Sequence, residues 1–147
     1  MKLSEHFTLE EMIFSDTALR HGIDNTPNQE QIIKLTYLAS KMEEVRVLTG
    51  ALHINSGYRC LALNRALKSK DTSQHLKCEA DDARSLVGLT ALQLCMMVST
   101  STIRFDQLIY EFESWMHISF VNEADGRKPR HSIITINHRG IFPGIVV

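Results

Sequence analysis

Between Thr26-Pro27 and Gly50, apolar residues recur at steps of three and four: Ile32, Leu35, Leu38, Ala39, Met42, Val45 and Leu48. That is the period of an α-helix with one buried face. Thr26 serves as N-cap and Pro27 as first helical residue, where a missing N–H costs nothing, while Gly50 closes the run. Most of the stability of such a helix comes from packing its apolar face, so it requires a second layer. The late part of the chain supplies one. Residues 105–112 and 115–120 are rich in aromatic and β-branched side chains, and with Glu113-Ser114 between them they read as two antiparallel strands.

Shorter elements fit around this pair of layers. Thr8-Leu9-Glu10-Glu11 has the form of a capping box, so a short helix follows Thr8, with Phe7 placed as a hydrophobic staple. Ser15 or Asp16 caps a second short turn that His21-Gly22 stops. Leu52-His53-Ile54-Asn55 reads as a strand entering the Ser56-Gly57-Tyr58-Arg59 turn. Residues 61–67 read as a helix, 68–74 as a polar loop and 89–98 as a buried helix begun near Thr90. Residues 122–130 form a charged loop, 132–137 a last strand and 140–144 a turn-rich tail. Helices first and strands later predict an α+β fold, with N-terminal helices packed on a small antiparallel sheet.

Composition narrows the function. The 147 residues are 44% hydrophobic and 22% charged, without repeat or low-complexity tract, as expected of one domain spanning 1–147 rather than of a disordered chain. Sixteen Lys+Arg against seventeen Asp+Glu give a formal charge of −1, so no strong field draws in nucleic acid or an acidic membrane. No apolar run approaches the roughly 20 residues of a membrane span, and no secretory signal is expected at the start. The cysteines, Cys60, Cys78 and Cys95, are odd in number and form no CxxC pair, which argues against a disulfide framework and for synthesis in a reducing cytoplasm.

Seven histidines are available: His6, His21, His53, His75, His117, His131 and His138. His117 lies in an apolar strand, where a polar ring needs a partner. His75 and Asp82 would fall on opposite faces of one ideal strand, so a site shared by them requires a loop or bulge over residues 76–78. Two imidazoles and one carboxylate are a sufficient donor set for zinc with one position left for water.

Several segments carry a resemblance. Ser56-Gly57-Tyr58-Arg59, Leu63-Asn64-Arg65-Ala66 and the run Ser73-Gln74-His75-Leu76-Lys77-Cys78-Glu79-Ala80-Asp81-Asp82 closely resemble one family. So do Phe105-Asp106-Gln107-Leu108-Ile109-Tyr110-Glu111-Phe112 and Trp115-Met116-His117-Ile118-Ser119. The family comprises the zinc D-alanyl-D-alanine carboxypeptidases and phage endolysin peptidases that cut peptidoglycan stem peptides, and it shares its fold with the hedgehog signalling domain. Residues 3–11 and Asp24-Asn25-Thr26-Pro27 are similar to the phage-type branch, so the likeness runs from Leu3 to about Phe120. It implies that His75, Asp82 and His117 hold one zinc ion, and that Arg59 faces the substrate, binding a peptide carboxylate or stabilising the oxyanion. Ser73 is a candidate to orient His75 or the substrate.

The acid that moves the proton is Glu111 or Glu113, both sharing strand parity with His117. Several relatives carry it three residues before the last His, where this chain has Ser114; the phage-type branch carries it at the place of Glu111, which ranks first. Cys78 stands where relatives usually have Gly, and Lys68-Ser69-Lys70-Asp71 where they have a glycine-rich turn. Cys78 could add a thiolate to a metal, although packing is the commoner role of such a residue. Tyr58 is expected to pack rather than react; Trp115 could line the peptide cleft, with a buried core position the preferred reading.

The resemblance therefore implies a zinc peptidase that hydrolyses amide bonds of peptidoglycan stem peptides or cross-links, as D,D-carboxypeptidase or endopeptidase, by attack of zinc-bound hydroxide. The alternative is a zinc-binding module of the same fold that binds a wall peptide or a phage partner without cutting. The expected protein is a monomer that binds neither nucleic acid nor membrane. It is made in the cytoplasm and acts on the cell wall when released during phage or prophage lysis.

Overall fold

The computed structural model describes residues 1–147. Its N-terminal half holds α1 (Leu9–Ile13), α2 (Asp16–His21), α3 (Gln29–Thr49), β1 (Leu52–Ser56) and α4 (Leu61–Ala66). Then follow β2 (Ala80–Ser85), α5 (Ala91–Ser99), β3 (Gln107–Glu111), β4 (Trp115–Ser119), β5 (Ser132–Asn137) and β6 (Gly140–Pro143).

The helices begin where side chains take up the free N–H groups of a first turn. Thr8 and Glu11 form the capping box of α1, Ser15 caps α2, and Thr90 with Gln93 forms the box of α5. Gly22 ends α2 in the left-handed region, at φ 63°. The start of α3 differs from the sequence expectation. Its cap is Asn28, whose side chain accepts from the Gln31 N–H at 2.8 Å while Gln31 Oε1 accepts from the Asn28 N–H at 2.8 Å. The Thr26 N–H donates instead to Asp24 Oδ1 at 2.9 Å, so Thr26-Pro27 belongs to the lead-in turn. The buried stripe of α3 is Leu35, Leu38, Ala39, Met42, Val45 and Thr49. Leu48 falls outside it at 39% exposure, and Thr49 is accommodated because its hydroxyl donates to the Val45 carbonyl at 3.0 Å.

The strands form one sheet in the order β1-β2-β4-β3-β5-β6. The β3–β4 hairpin is antiparallel as expected, with a Phe112-Glu113 turn at φ 48° and 58°. Positive φ at both central residues matches the twist of a hairpin. Three features depart from expectation: residues 80–85 form β2, the tail forms β6, and β5 pairs with β3 in parallel rather than antiparallel. The parallel pairing follows from connectivity. β2 already occupies the free edge of β4, so the segment after β4 steps past the start of β3 and sets Ser132 beside Gln107.

Pleating divides the sheet into two faces. Leu108, Tyr110, Met116, Ile118 and Ala83 turn towards α3 and α5, where they join Leu35, Leu38, Met42, Leu94 and Val98 in the core. The opposite face carries Gln107, Ile109 and Glu111 from β3, Trp115 and His117 from β4, Asp82 from β2, and Ile134 and Ile136 from β5. These residues form the floor of an open cleft of about 1020 Å³.

Candidate metal centre

Asp82 and His117 are direct register partners on β2 and β4, and Ile109 lies opposite His117 on β3. His75 comes from a tight turn before β2. Within it the N–H groups of Leu76, Lys77 and Glu79 donate to the carbonyls of Ser73, Gln74 and Gln74, and Cys78 takes the left-handed region at φ 60°. This is the loop that a shared His75–Asp82 site requires. A side chain at that φ costs roughly 1–2 kcal/mol, a cost that glycine would not carry. Cys78 is tolerated because its side chain is 2% exposed and packed into the core.

The three side chains are all buried, and their donor atoms lie within 4.8 Å of one another. His75 Nε2 is 3.3 Å from Asp82 Oδ1, and His117 Nδ1 is 3.0 Å from the same oxygen. Ligands at about 2.0 Å from a tetrahedral zinc stand about 3.3 Å apart, so the spacing suits such an ion. His75 and Asp82 are also held from behind. His75 Nδ1 lies 2.7 Å from the Gly57 carbonyl, and Asp82 Oδ2 accepts from Arg59 Nη2 at 3.3 Å. Burial alone would raise the Asp82 pKa, but His75 and His117 outweigh it and hold the group well below the usual carboxylate range. The donor set, the spacing and these supports fit zinc.

Arg59 lines the cleft yet is already engaged. Its Nε donates to Ser56 Oγ at 3.1 Å and its Nη1 to Ser69 Oγ at 3.1 Å, besides the Asp82 bond. Two of the five guanidinium N–H groups are left free to face a substrate. Ser73 lines the cleft too, but its Oγ accepts from the backbone N–H of His75 at 3.3 Å, so it shapes the turn rather than touching the imidazole.

The two glutamates separate. Glu111 lines the cleft on the face of Asp82 and His117, whereas Glu113 is exposed at the hairpin tip and lines no part of it. Burial first, then the nearby Asp82 charge, push the Glu111 pKa up against the pull of His117, Arg59 and the Trp115 indole. Trp115 takes the less favoured of its two expected places: it lines the cleft rather than the core, and its Nε1 makes no hydrogen bond within the chain. Tyr58 is buried in the core as expected. Cys78 is not among the clustered donors, and burial pushes its thiol up to about 12. His6 pairs with Glu43 at 2.9 Å, His131 stacks on Phe105, and His21, His53 and His138 are exposed elsewhere.

Gly57 is the functional residue that sequence reasoning missed. A Cβ there would stand 2.3 Å from the Met12 carbonyl and 2.9 Å from Asp81 Oδ1, so only glycine lets the turn present its carbonyl to His75. The signal lay in Ser56-Gly57-Tyr58-Arg59, a glycine inside an otherwise well-filled turn.

No helix is long and apolar enough to cross a membrane. No curated protein matches the chain. The family model described as Peptidase M15 matches residues 5–119, which include the His75, Asp82 and His117 cluster. With that match over most of its length, and with a zinc-compatible centre at the floor of its cleft, the chain belongs to the peptidase M15 family, a family of zinc metallopeptidases.

Proposed function

We propose that the protein hydrolyses amide bonds of peptidoglycan stem peptides or cross-links, as a D,D-carboxypeptidase or endopeptidase of the endolysin type. The observation that carries the reading is the convergence of His75, Asp82 and His117 on one point beneath a peptide-sized cleft. Zinc held there would supply a Lewis acid for the scissile carbonyl and an acidified water. The substrate class is supported by the resemblance of the Ser73–Asp82 and Trp115–Ser119 segments to peptidases of the bacterial wall. Phage or prophage lysis is the setting that resemblance favours.

The chain's own residues divide the remaining work. Glu111 takes the proton of the attacking water and returns it to the departing amine. Arg59, fixed by Ser56, Ser69 and Asp82, directs its free N–H groups at negative charge developing on the carbonyl oxygen. Ile109 and Trp115 line the apolar flank that keeps the peptide against the sheet. Two of the three departures from the family pattern are compatible with turnover, because Cys78 keeps the turn in its left-handed form and Glu111 supplies the acid absent at Ser114.

The test is mass spectrometry of purified muropeptides incubated with the zinc-loaded protein, the chelated protein and a His117→Ala variant. We expect about one zinc per chain, cleavage by the loaded protein alone, and loss of both metal and cleavage in the variant. Full cleavage by a His75→Ala/His117→Ala double variant overturns the reading. One bound zinc with no cleavage would favour the non-cutting wall-binding module instead.

A further inference from the structure

The cleft is asymmetric about the metal centre. Ile109 stands level with His117. Towards Glu111 the lining turns apolar, with Trp115, Ile136 and Ile141. In the other direction, past Gln107 to Asp106, it turns cationic, with Lys77, Arg127, Lys128 and Arg130. At the rise of a strand this second end begins about 7–10 Å from the centre.

The cationic end is built rather than incidental. Asp106, with its side chain 4% exposed, accepts from the Arg130 backbone N–H at 2.9 Å, from Arg130 Nη2 at 2.7 Å and from Gln74 Nε2 at 3.0 Å. One buried carboxylate thus ties the turn of His75 to the loop before β5 and fixes the Arg130 guanidinium, whose Nη1 makes no bond within the chain. Arg127 is likewise held by Glu79. Lys77 and Lys128 have no carboxylate partner; the ion-paired lysines are Lys34 and Lys41, on α3. Since the whole chain carries a formal charge of −1, this positive excess is local.

We propose that Lys77, Lys128 and Arg130 form an anion subsite that receives a carboxylate of the peptide substrate two to three residues from the scissile bond. The spacing follows from an extended peptide rising about 3.4 Å per residue along the cleft. This inference rests on the peptidase reading and adds a preference for acidic peptides to it. The carboxylate is a side chain or, for an endopeptidase cut, the free C-terminus of the substrate, since in a carboxypeptidase cut the C-terminus lies only one residue from the scissile bond. Its pairing strengthens binding and orients the peptide, with the apolar Trp115 end taking the opposite flank.

The test uses the zinc-loaded protein and a Lys77→Gln/Lys128→Gln variant, with zinc content measured in both. Synthetic stem peptides are supplied with all carboxylates free, with the side-chain carboxylate amidated, or with the C-terminus amidated. We expect one of the two amidations to lower kcat/KM of the wild type about tenfold, mainly through KM, and so to identify the source of the carboxylate. In the variant, with zinc content unchanged, the ratio between free and amidated peptide falls towards one. A variant that keeps the full preference, or a wild type indifferent to both amidations, overturns the subsite. Equilibrium binding of the same peptides is measured in parallel. If the wild type cleaves none of them, the hydrolase reading fails, while the contrast in binding between wild type and variant still decides the subsite.

Discussion

The carbonyl oxygen of Gly57 lies 2.7 Å from Nδ1 of His75 and accepts a hydrogen bond from it, which turns Nε2 towards Asp82. A carbonyl behind a ligating imidazole sets both the tautomer and the plane of the ring. The carbonyl is itself placed by the end of α1, because the N–H of Tyr58 donates to the Met12 carbonyl at 2.8 Å. The short helix near the N-terminus, the Ser56–Arg59 turn and the metal centre therefore form one mechanical unit.

Replacing Gly57 by Ala drives a Cβ to 2.3 Å from the Met12 carbonyl, so the turn must move and His75 must tilt. We expect zinc affinity to fall 10- to 100-fold and stability to fall by about 1–3 kcal/mol. Titration against a competing chelator and urea unfolding measure the two effects. Unchanged zinc affinity would show that the Gly57 carbonyl does not aim the ring.

Glu111 and Glu113 have the same parity in the sequence, but only Glu111 lines the cleft. We expect Glu111→Gln to lower kcat by about 10²- to 10⁴-fold with zinc stoichiometry unchanged. Glu113→Gln, at the exposed hairpin tip, is expected to leave kcat within about twofold, as surface substitutions usually do. Steady-state kinetics on a cleavable stem peptide decide between them, and a reversed order would assign the proton transfer to the turn.

Local signals made most of the fold legible. The caps at Thr8, Ser15 and Thr90, the period of α3 and the aromatic hairpin are all written in neighbouring residues. β2 was not, because Ala80–Ser85 buries two acids that no strand pattern predicts: Asp82 answers to two histidines and an arginine from other segments, while both oxygens of the neighbouring Asp81 have no hydrogen-bond partner. The parallel β3–β5 pairing was hidden because it depends on β2 occupying the far side of β4. For the site, the histidines and Asp82 could be read from motif and chemistry. The aim of Gly57 and the position of Trp115 in the cleft needed three dimensions, since both arise from contacts between segments far apart in the chain.

Asp106 gives the fold a pH dependence with a definite sign. Burial alone would raise its pKa, but hydrogen bonds from Arg130 and Gln74 hold it below the ordinary carboxylate value. A depressed carboxyl stabilises the fold above its unfolded pKa, near 3.9, and that contribution is lost as pH falls through the lower folded value. We expect Asp106→Asn to cost about 1–3 kcal/mol at pH 7, towards the lower end because Arg130 is largely solvated. Urea unfolding from pH 7 down to pH 2 should show the gap between wild type and variant narrowing below about pH 4. A gap independent of pH would mean that the Asp106 contribution is packing rather than charge.

The three cysteines should react in an order set by burial. Burial pushes the thiols of Cys78 and Cys95 up to about 12, and both are shut into the core, whereas Cys60 is partly exposed before α4. Since the thiolate is the reactive form, a disulfide reagent at pH 7 should titrate one thiol in the native protein and all three only after unfolding. Chelation of the metal should leave that count at one, because Cys78 stands outside the His75–Asp82–His117 cluster. A second thiol that reacts on chelation would instead assign Cys78 to the metal. A Cys78→Gly variant separates the two roles further: it restores a residue at ease with φ 60° and should keep about one zinc per chain, whereas a thiolate ligand would be lost with the side chain.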